Sequence, residues 1–308
     1  MNRFIRLRLL AMLLCLPFLL IFISGCGSSS QKKDEPPVYS PLQVLVPEAT
    51  GKETIGSSPM ILDVSNISQG YFIAQSDSSD LTCSLQIISP SGVLYSYFIA
   101  PGESATVTFT EGSGDYTITG YQQVQGDQYA ALYSETVTVQ LENDFLPFLY
   151  PNQYVNFTPD SKASQLALSL IDEDTVDVDA LQQIYDYVVS NLTYDYEKAD
   201  TVTTGYLPDV DETLKTGTGI CFDYAALTTA MLRSCDIPCK LQIGYAGDIK
   251  HAWIDVYIRG KGWVEQAITY DGEKWNRMDP TFTANSEDEE LINSYIGDSA
   301  NYTLQFTR

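Results

Sequence analysis

The chain has few cations, a single histidine and no Cys-x-x-Cys pair. Its 17 Lys and Arg stand against 40 Asp and Glu, a formal net charge of −23. Phosphate binding needs clustered Lys and Arg, so nucleic acid is excluded as a partner. The same charge repels anionic lipid, so any membrane contact should come through an anchor rather than through the protein surface. It also keeps a secreted protein soluble. One histidine without paired cysteines excludes the usual Cys/His zinc site, and nothing in the sequence asks for a metal or a cofactor. The long apolar run, Leu9 to Ile23, is interrupted by Pro17. It falls short of the roughly 20 residues that span hydrocarbon.

That run is preceded by Arg3, Arg6 and Arg8 and followed by Ser24 and Gly25. A basic front, a short apolar middle and small residues behind it make residues 1–25 a secretory signal peptide. Ile23-Ser24-Gly25-Cys26 resembles a bacterial lipobox. The resemblance implies cleavage before Cys26, diacylglycerol on its thiol and a chain held at the extracytoplasmic face of the cell membrane. Several acyl chains, at about 0.8 kcal/mol per buried methylene, anchor stably. Residues 26–58 are polar and rich in Ser and Pro, the composition of a flexible tether.

From residue 59 the pattern becomes a period of two. Met60 to Val64, Tyr71 to Ala74, Leu81 to Ile88, Val93 to Ile99, Ala105 to Phe109, Tyr116 to Tyr121 and Tyr129 to Leu141 alternate apolar and polar positions. Turns such as Ser89-Pro90-Ser91-Gly92 and Glu111-Gly112-Ser113-Gly114 separate them. About seven such strands predict a β-sandwich of immunoglobulin-like type over residues 59–145, a spacer or a binding module. Cys83 is expected as a buried strand residue.

Residues 146–308 form the second module of an α+β chain. One helix follows Asp160 or Ser161 as cap, and another runs from about Val178 to Asn191 with Leu181, Ile184, Tyr185 and Val188 on one side. The acids between them, Asp172 to Asp179, lack EF-hand spacing and suit capping. The chemistry lies further on. Thr218 as N-cap places Cys221 in the first turn of a helix that runs to about Ser234 and is apolar enough to be buried. Unpaired N–H groups there favour a thiolate and can hold a developing oxyanion. Pro238 ends the helix, and Cys235 and Cys239 are close enough in sequence for a small disulfide if the chain turns sharply.

A thiol nucleophile needs a base, and His251, the lone histidine, begins an alternating run through Tyr257. A carboxylate should orient the imidazole. Asp255 shares the strand face, but four residues at about 3.3 Å put it roughly 13 Å away. Asp271 and Asp279 both remain open on these grounds. Gly219-Ile220-Cys221-Phe222-Asp223-Tyr224-Ala225, His251-Ala252-Trp253 and Asp279-Pro280-Thr281-Phe282 resemble, in order, the motif blocks of the transglutaminase-like superfamily. The resemblance covers roughly residues 160–285, with an added segment around Val264 to Tyr270. It implies a papain-like fold, a triad of Cys221, His251 and Asp279, and a protein or peptide amide as substrate. It also implies a side-chain oxyanion donor, for which Tyr194 and Tyr206 are available. Hydrolysis, as a peptidase or amidase, is the favoured outcome. Cross-linking of glutamine side chains to amines and a non-catalytic scaffolding lipoprotein are the alternatives.

Overall fold

In a computed structural model of the chain the described residues are 35–172, 174–265, 268–270, 275–277 and 302–308. Side chains are described for all of these except 268–270 and 275–277. Cys26, Asp271 and Asp279 lie outside them, as do residues 1–25, expected to be a signal peptide. No helix among the described residues is long and apolar enough to cross a membrane.

The alternating runs become strands. These are β1 (Thr54–Ser57), β2 (Met60–Asp63), β3 (Tyr71–Ser76), β4 (Cys83–Ile88), β5 (Leu94–Ile99), β6 (Ser104–Thr108), β7 (Gly114–Gln125) and β8 (Gln128–Val139). They form two antiparallel sheets, ordered β1-β2-β3-β6 and β5-β4-β7-β8. Successive side chains leave a strand on opposite faces. Tyr95, Tyr97 and Ile99 therefore enter the shared core with Leu62, Phe72, Leu85 and Ile118, while Leu94 and Phe98 face out. Cys83 is buried there beside Ser76 Oγ at 3.4 Å.

The segment expected to be a free tether is docked where it is described. Thr54–Ser57 is a strand of the first sheet, and Val44 and Leu45 are buried. Their apolar side chains gain more from that burial than a Ser- and Pro-rich average suggests. Asn143 Nδ2 donates to Glu35 O at 2.7 Å, and Tyr39 N donates to Asp236 Oδ2 at 3.2 Å.

Beyond the sheets come α1 (Lys162–Leu170), α2 (Asp177–Asn191), β9 (Thr193–Tyr194), α3 (Tyr196–Thr201), α4 (Val210–Thr216), β10 (Thr218–Gly219) and α5 (Cys221–Ser234). The strands β11 (Cys239–Ala246), β12 (Ile249–Ile258), β13 (Gly262–Val264), β14 (Ile268–Tyr270), β15 (Trp275–Arg277) and β16 (Tyr302–Thr307) complete the described elements. Ser161 stands at the N-cap of α1, but its side chain makes no cap bond. The Asp211 carboxylate caps that helix instead, accepting from Lys162 N and Ala163 N at 3.0 Å each. Asp177, expected to cap, instead accepts from Arg259 Nη1 and Arg259 N at 2.6 and 2.8 Å.

Helix α5 is the axis of this half. Every residue from Asp223 to Ser234 is buried. Leu227, Ala230 and Met231 share one core with Ile184 and Val188 of α2, Leu241 of β11, and Ala252, Ile254 and Val256 of β12. Each such large side chain contributes about 1.5–3 kcal/mol. The sheet behind it is antiparallel, ordered β13-β12-β11-β16. All described residues belong to one compact unit, residues 31–308. Tyr154 packs against both cores, and its hydroxyl donates to Ser96 O at 3.0 Å.

Candidate active site

Cys221 is the first residue of α5 and is partly exposed. The N-cap is Ile220 rather than Thr218, which is drawn into the short parallel pairing of β10 with β9. Asp223 does the capping from inside the helix, taking the Ile220 N–H on Oδ2 at 2.8 Å. That is the carboxylate half of a capping box. The N–H groups of Cys221 and Phe222 have no intrahelical acceptor, as at any helix start. They remain donors for an oxygen brought to the sulfur. Gly219 makes room for Asp223: a Cβ there would meet Asp223 Cβ at 2.6 Å.

Asp223 is fully buried, and two further groups hold it. Lys198 Nζ, from α3, lies 2.7 Å from Oδ2, and the Tyr206 hydroxyl donates to Oδ1. Lys198 also donates to Tyr206 Oη at 2.6 Å and lies over its ring at 4.5 Å. Burial lowers the Lys198 pKa, but the bonds to Asp223 and Tyr206 outweigh it and the net shift is upward. Burial, with the bond to Asp223, pushes Tyr206 up to about 12. Tyr206, one of the two tyrosines available as oxyanion donor, donates its hydroxyl proton to Asp223. Tyr194, the other, pairs with Gly219 through the β9–β10 ladder. The capping spacing of Asp223 was legible three residues after Ile220; nothing in the sequence pointed to Lys198.

His251 is buried in β12, opposite Gly244 of β11. Its ring lies 6.4 Å from that of Trp253 and 6.2 Å from that of Tyr302. A Cβ at Gly244 would meet Thr303 O at 2.0 Å, so only glycine lets β16 run past this point. The register places His251 and Cys221 at the same end of the layer. Cys239, where β11 starts, touches Thr229 Oγ1 at 3.5 Å and gives its carbonyl to Arg233 Nε at 2.9 Å. From that level, Cys221 stands about 12–18 Å along the helix, at 1.5 Å per residue. Gly244, the partner of His251, stands roughly 16 Å along the strand. His251 alternates with Ala252, Ile254 and Val256, which pack into the α5 core, so it leaves β12 on the Trp253 face. No hydrogen bond joins it to Cys221 among the described residues. Asp255 is engaged elsewhere, accepting from Gln242 Nε2 at 2.6 Å.

At the other end of α5, Cys235 and Cys239 are free thiols, not a disulfide. Asp236 supplies the turn between them at φ 58°.

Residues 164–280 match the family model of the transglutaminase-like superfamily. The uncharacterized protein YebA of Bacillus subtilis (strain 168) is 26% identical over 174 residues, 49% of this chain. The chain spans 22% of that relative's length. Among solved structures, a putative cysteine protease from Cytophaga hutchinsonii aligns over 83% of this chain and 84% of its own, at 17% identity and a TM-score of 0.38. Red sea bream transglutaminase aligns over 70% and 48%, at 14% identity and a TM-score of 0.26. The match makes residues 164–280 similar to the transglutaminase-like superfamily.

Proposed function

We propose that the protein is a lipid-anchored, extracytoplasmic enzyme that cleaves amide bonds of peptides or proteins through a Cys221 thioester. The observation that carries this reading is a partly exposed cysteine heading a buried helix, at the end of the layer where the chain's single histidine lies. Cys221 sulfur attacks the amide carbonyl carbon as His251 takes the thiol proton. The carbonyl oxygen, now an anion, accepts from the free N–H groups of the first turn of α5. Collapse breaks the C–N bond, and His251 returns the proton to the leaving amine. Water, deprotonated by His251, then releases the acid and restores the thiol. Asp279 fixes the imidazole tautomer. His251 leaves β12 on the face away from the α5 core, so the imidazole must turn to the thiol when substrate binds; catalytic hydrogen bonds often tighten only in the substrate complex.

Water as acceptor is favoured by the exposure of Cys221, since a transferase must shelter its thioester. The two sheets of residues 54–139 support an immunoglobulin-like module that spaces the enzyme from the membrane. Their strand orders have the crossed connections of a Greek key. Attachment rests on Cys26.

The test is turnover of envelope peptides with and without a labelled primary amine. Cys221→Ala and His251→Ala should each abolish release of free acid. Stoichiometric, Cys221-dependent amine incorporation with little acid formed would make the protein a transglutaminase. Metabolic labelling with a fatty-acid analogue should mark the wild type and not Cys26→Ala; equal label on both would remove the anchor.

A further inference from the structure

The group most closely tied to the head of α5 is the buried carboxylate of Asp223, two residues beyond the nucleophile. A bare carboxylate at that position would oppose thiolate formation, because like charges at short range disfavour each other's ionised form. It is not bare. Lys198, 30% exposed at its side chain, contributes the compensating charge at 2.7 Å, and Tyr206 holds the other oxygen. Tyr206 also packs edge-on against Phe222, the residue after the nucleophile, with ring centroids 6.3 Å apart. The same carboxylate keeps the Ile220 N–H occupied while those of Cys221 and Phe222 stay open. Were Asp223 released, it could turn onto those open donors and compete with the substrate oxygen.

We propose that Lys198 is a positioning residue for the nucleophile: it neutralises and orients Asp223 so that Cys221 ionises and the first-turn N–H groups stay free for the acyl oxygen. Tyr206 fixes the geometry of that pair. The inference rests on Cys221 being the nucleophile. The other titratable groups on the described elements around this turn are Tyr194 on β9, Asp195, Tyr196, Glu197 and Asp200 at α3, Asp209, Asp211, Glu212 and Lys215 at α4, Tyr154 against Phe222, and His251 on β12. Asp195 is occupied as the α3 cap, accepting from Lys198 N at 2.8 Å, and Lys215 pairs with Glu212 at 2.7 Å, so among the described residues Lys198 is the cation that faces Asp223.

The experiment is the pH dependence of Cys221 carboxymethylation by iodoacetamide in the full chain, read by peptide mapping without any substrate. Lys198→Met should slow the reaction about tenfold at pH 7 and leave the rate at pH 10 near that of the wild type, a rise of about one unit in the midpoint. Lys198→Arg should retain most of the wild-type rate. The decisive variant is Lys198→Met with Asp223→Asn, which removes both charges and should restore the midpoint. Circular dichroism checks that each variant is folded. If Lys198→Met misfolds, the midpoint for Asp223→Asn alone decides: removing the carboxylate should leave it at or below the wild-type value. A folded Lys198→Met with an unchanged midpoint overturns the proposal, as does a double variant no better than the single. Failure of the functional reading looks different. Wild-type Cys221 would then react no faster than an exposed ordinary thiol, and Cys221→Ala would keep its activity.

Discussion

Both ends of α5 bury a charged side chain, and they hold it in different ways. At the amino end, Asp223 is paired with a half-open lysine and a tyrosine. At the carboxyl end, Arg233 is fully buried and bonds only to backbone. It donates to the carbonyls of Cys239, Tyr150 and Arg308 at 2.9, 2.7 and 2.8 Å. Burial pushes its guanidinium down to about 10, still a cation at neutral pH. The Arg233 arrangement joins three segments that are distant in sequence and is closed to solvent. The Asp223 arrangement opens to solvent beside a thiol. Two buried charges on one helix thus mark a lock and a candidate site, and the partner chemistry tells them apart.

The sharpest way to break that contrast is to remove Arg233. Arg233→Met should cost about 3–5 kcal/mol, since three carbonyls lose charge-assisted donors inside the protein. Urea unfolding followed by circular dichroism measures it. A loss below about 1 kcal/mol would mean that the carboxyl end is no lock. In the same assay Cys221→Ala should lie within about 1 kcal/mol of the wild type, because the sulfur is only partly buried.

Next in size is Gly219→Ala, expected to cost about 2 kcal/mol through the forced shift of Asp223 or of the backbone. The Cβ would meet Asp223 Cβ at 2.6 Å, so the damage should fall on the amino end. Cys221 alkylation should slow in this variant while the Arg233 bonds persist. Hydrogen exchange at Arg308 and Leu241, paired with each other at 2.7 and 3.0 Å, reports on the latter. Equal loss of protection at both ends would show that α5 responds as one body and that the two ends are not separable.

Much of this was legible in residue order. Alternation located the strands from Met60 onward, and a period of 3.6 located α2 to within a residue. The cysteine, with its glycines and the apolar run behind it, marked the head of a buried helix. Capping was legible less well, because it was settled across the fold. Thr218 is a better intrinsic N-cap than Ile220, yet β9 takes Thr218 as a strand partner, and Asp211 caps α1 from 48 or more residues away. Lys198 could not be found at all: 25 residues and a loop separate it from Asp223, and one lysine in an acidic chain carries no pattern. The docking of residues 35–58 escaped for a related reason. Composition reports an average, while Val44 and Leu45 act singly.

A third effect, smaller again, belongs to the carboxyl end. Asp236 is buried, and that burial pushes its carboxyl up to about 7 despite the Tyr39 N–H and the Arg259 charge. Its Oδ1 has no hydrogen-bond partner among the described residues. The folded form keeps the proton up to about pH 7, whereas the unfolded form releases it near 3.8. Between those values the folded state binds more protons, so stability falls as pH rises through the window. Asp236→Asn keeps the acceptor for Tyr39 and tolerates the φ of 58°, a conformation Asn adopts readily. It should abolish the decline, a gain on the order of 1 kcal/mol at pH 7.5 and none at pH 4. Urea midpoints at pH 4.5, 6 and 7.5 decide. Parallel curves for both proteins would show that Asp236 does not govern the slope.

The smallest effect expected is that of a reductant. Cys235 and Cys239 flank the turn where α5 ends, and a bond between them would make this end a covalent clamp. They are free, and burial pushes both thiols up to about 12. The Cys239 Sγ donates instead to Thr229 Oγ1 at 3.5 Å, back towards the helix. Dithiothreitol should therefore shift the melting temperature by less than about 1 °C, where loss of a bridge contributing 2 kcal/mol would lower it by several degrees. Iodoacetamide should label Cys221 in the native protein and reach Cys235 and Cys239 only in denaturant, since thiols so buried present no thiolate at neutral pH. A melting temperature that fell by several degrees on reduction would put a disulfide at this end. The lock would then be partly covalent, and the contrast between the two ends of α5 would rest on redox state as well as on hydrogen bonding.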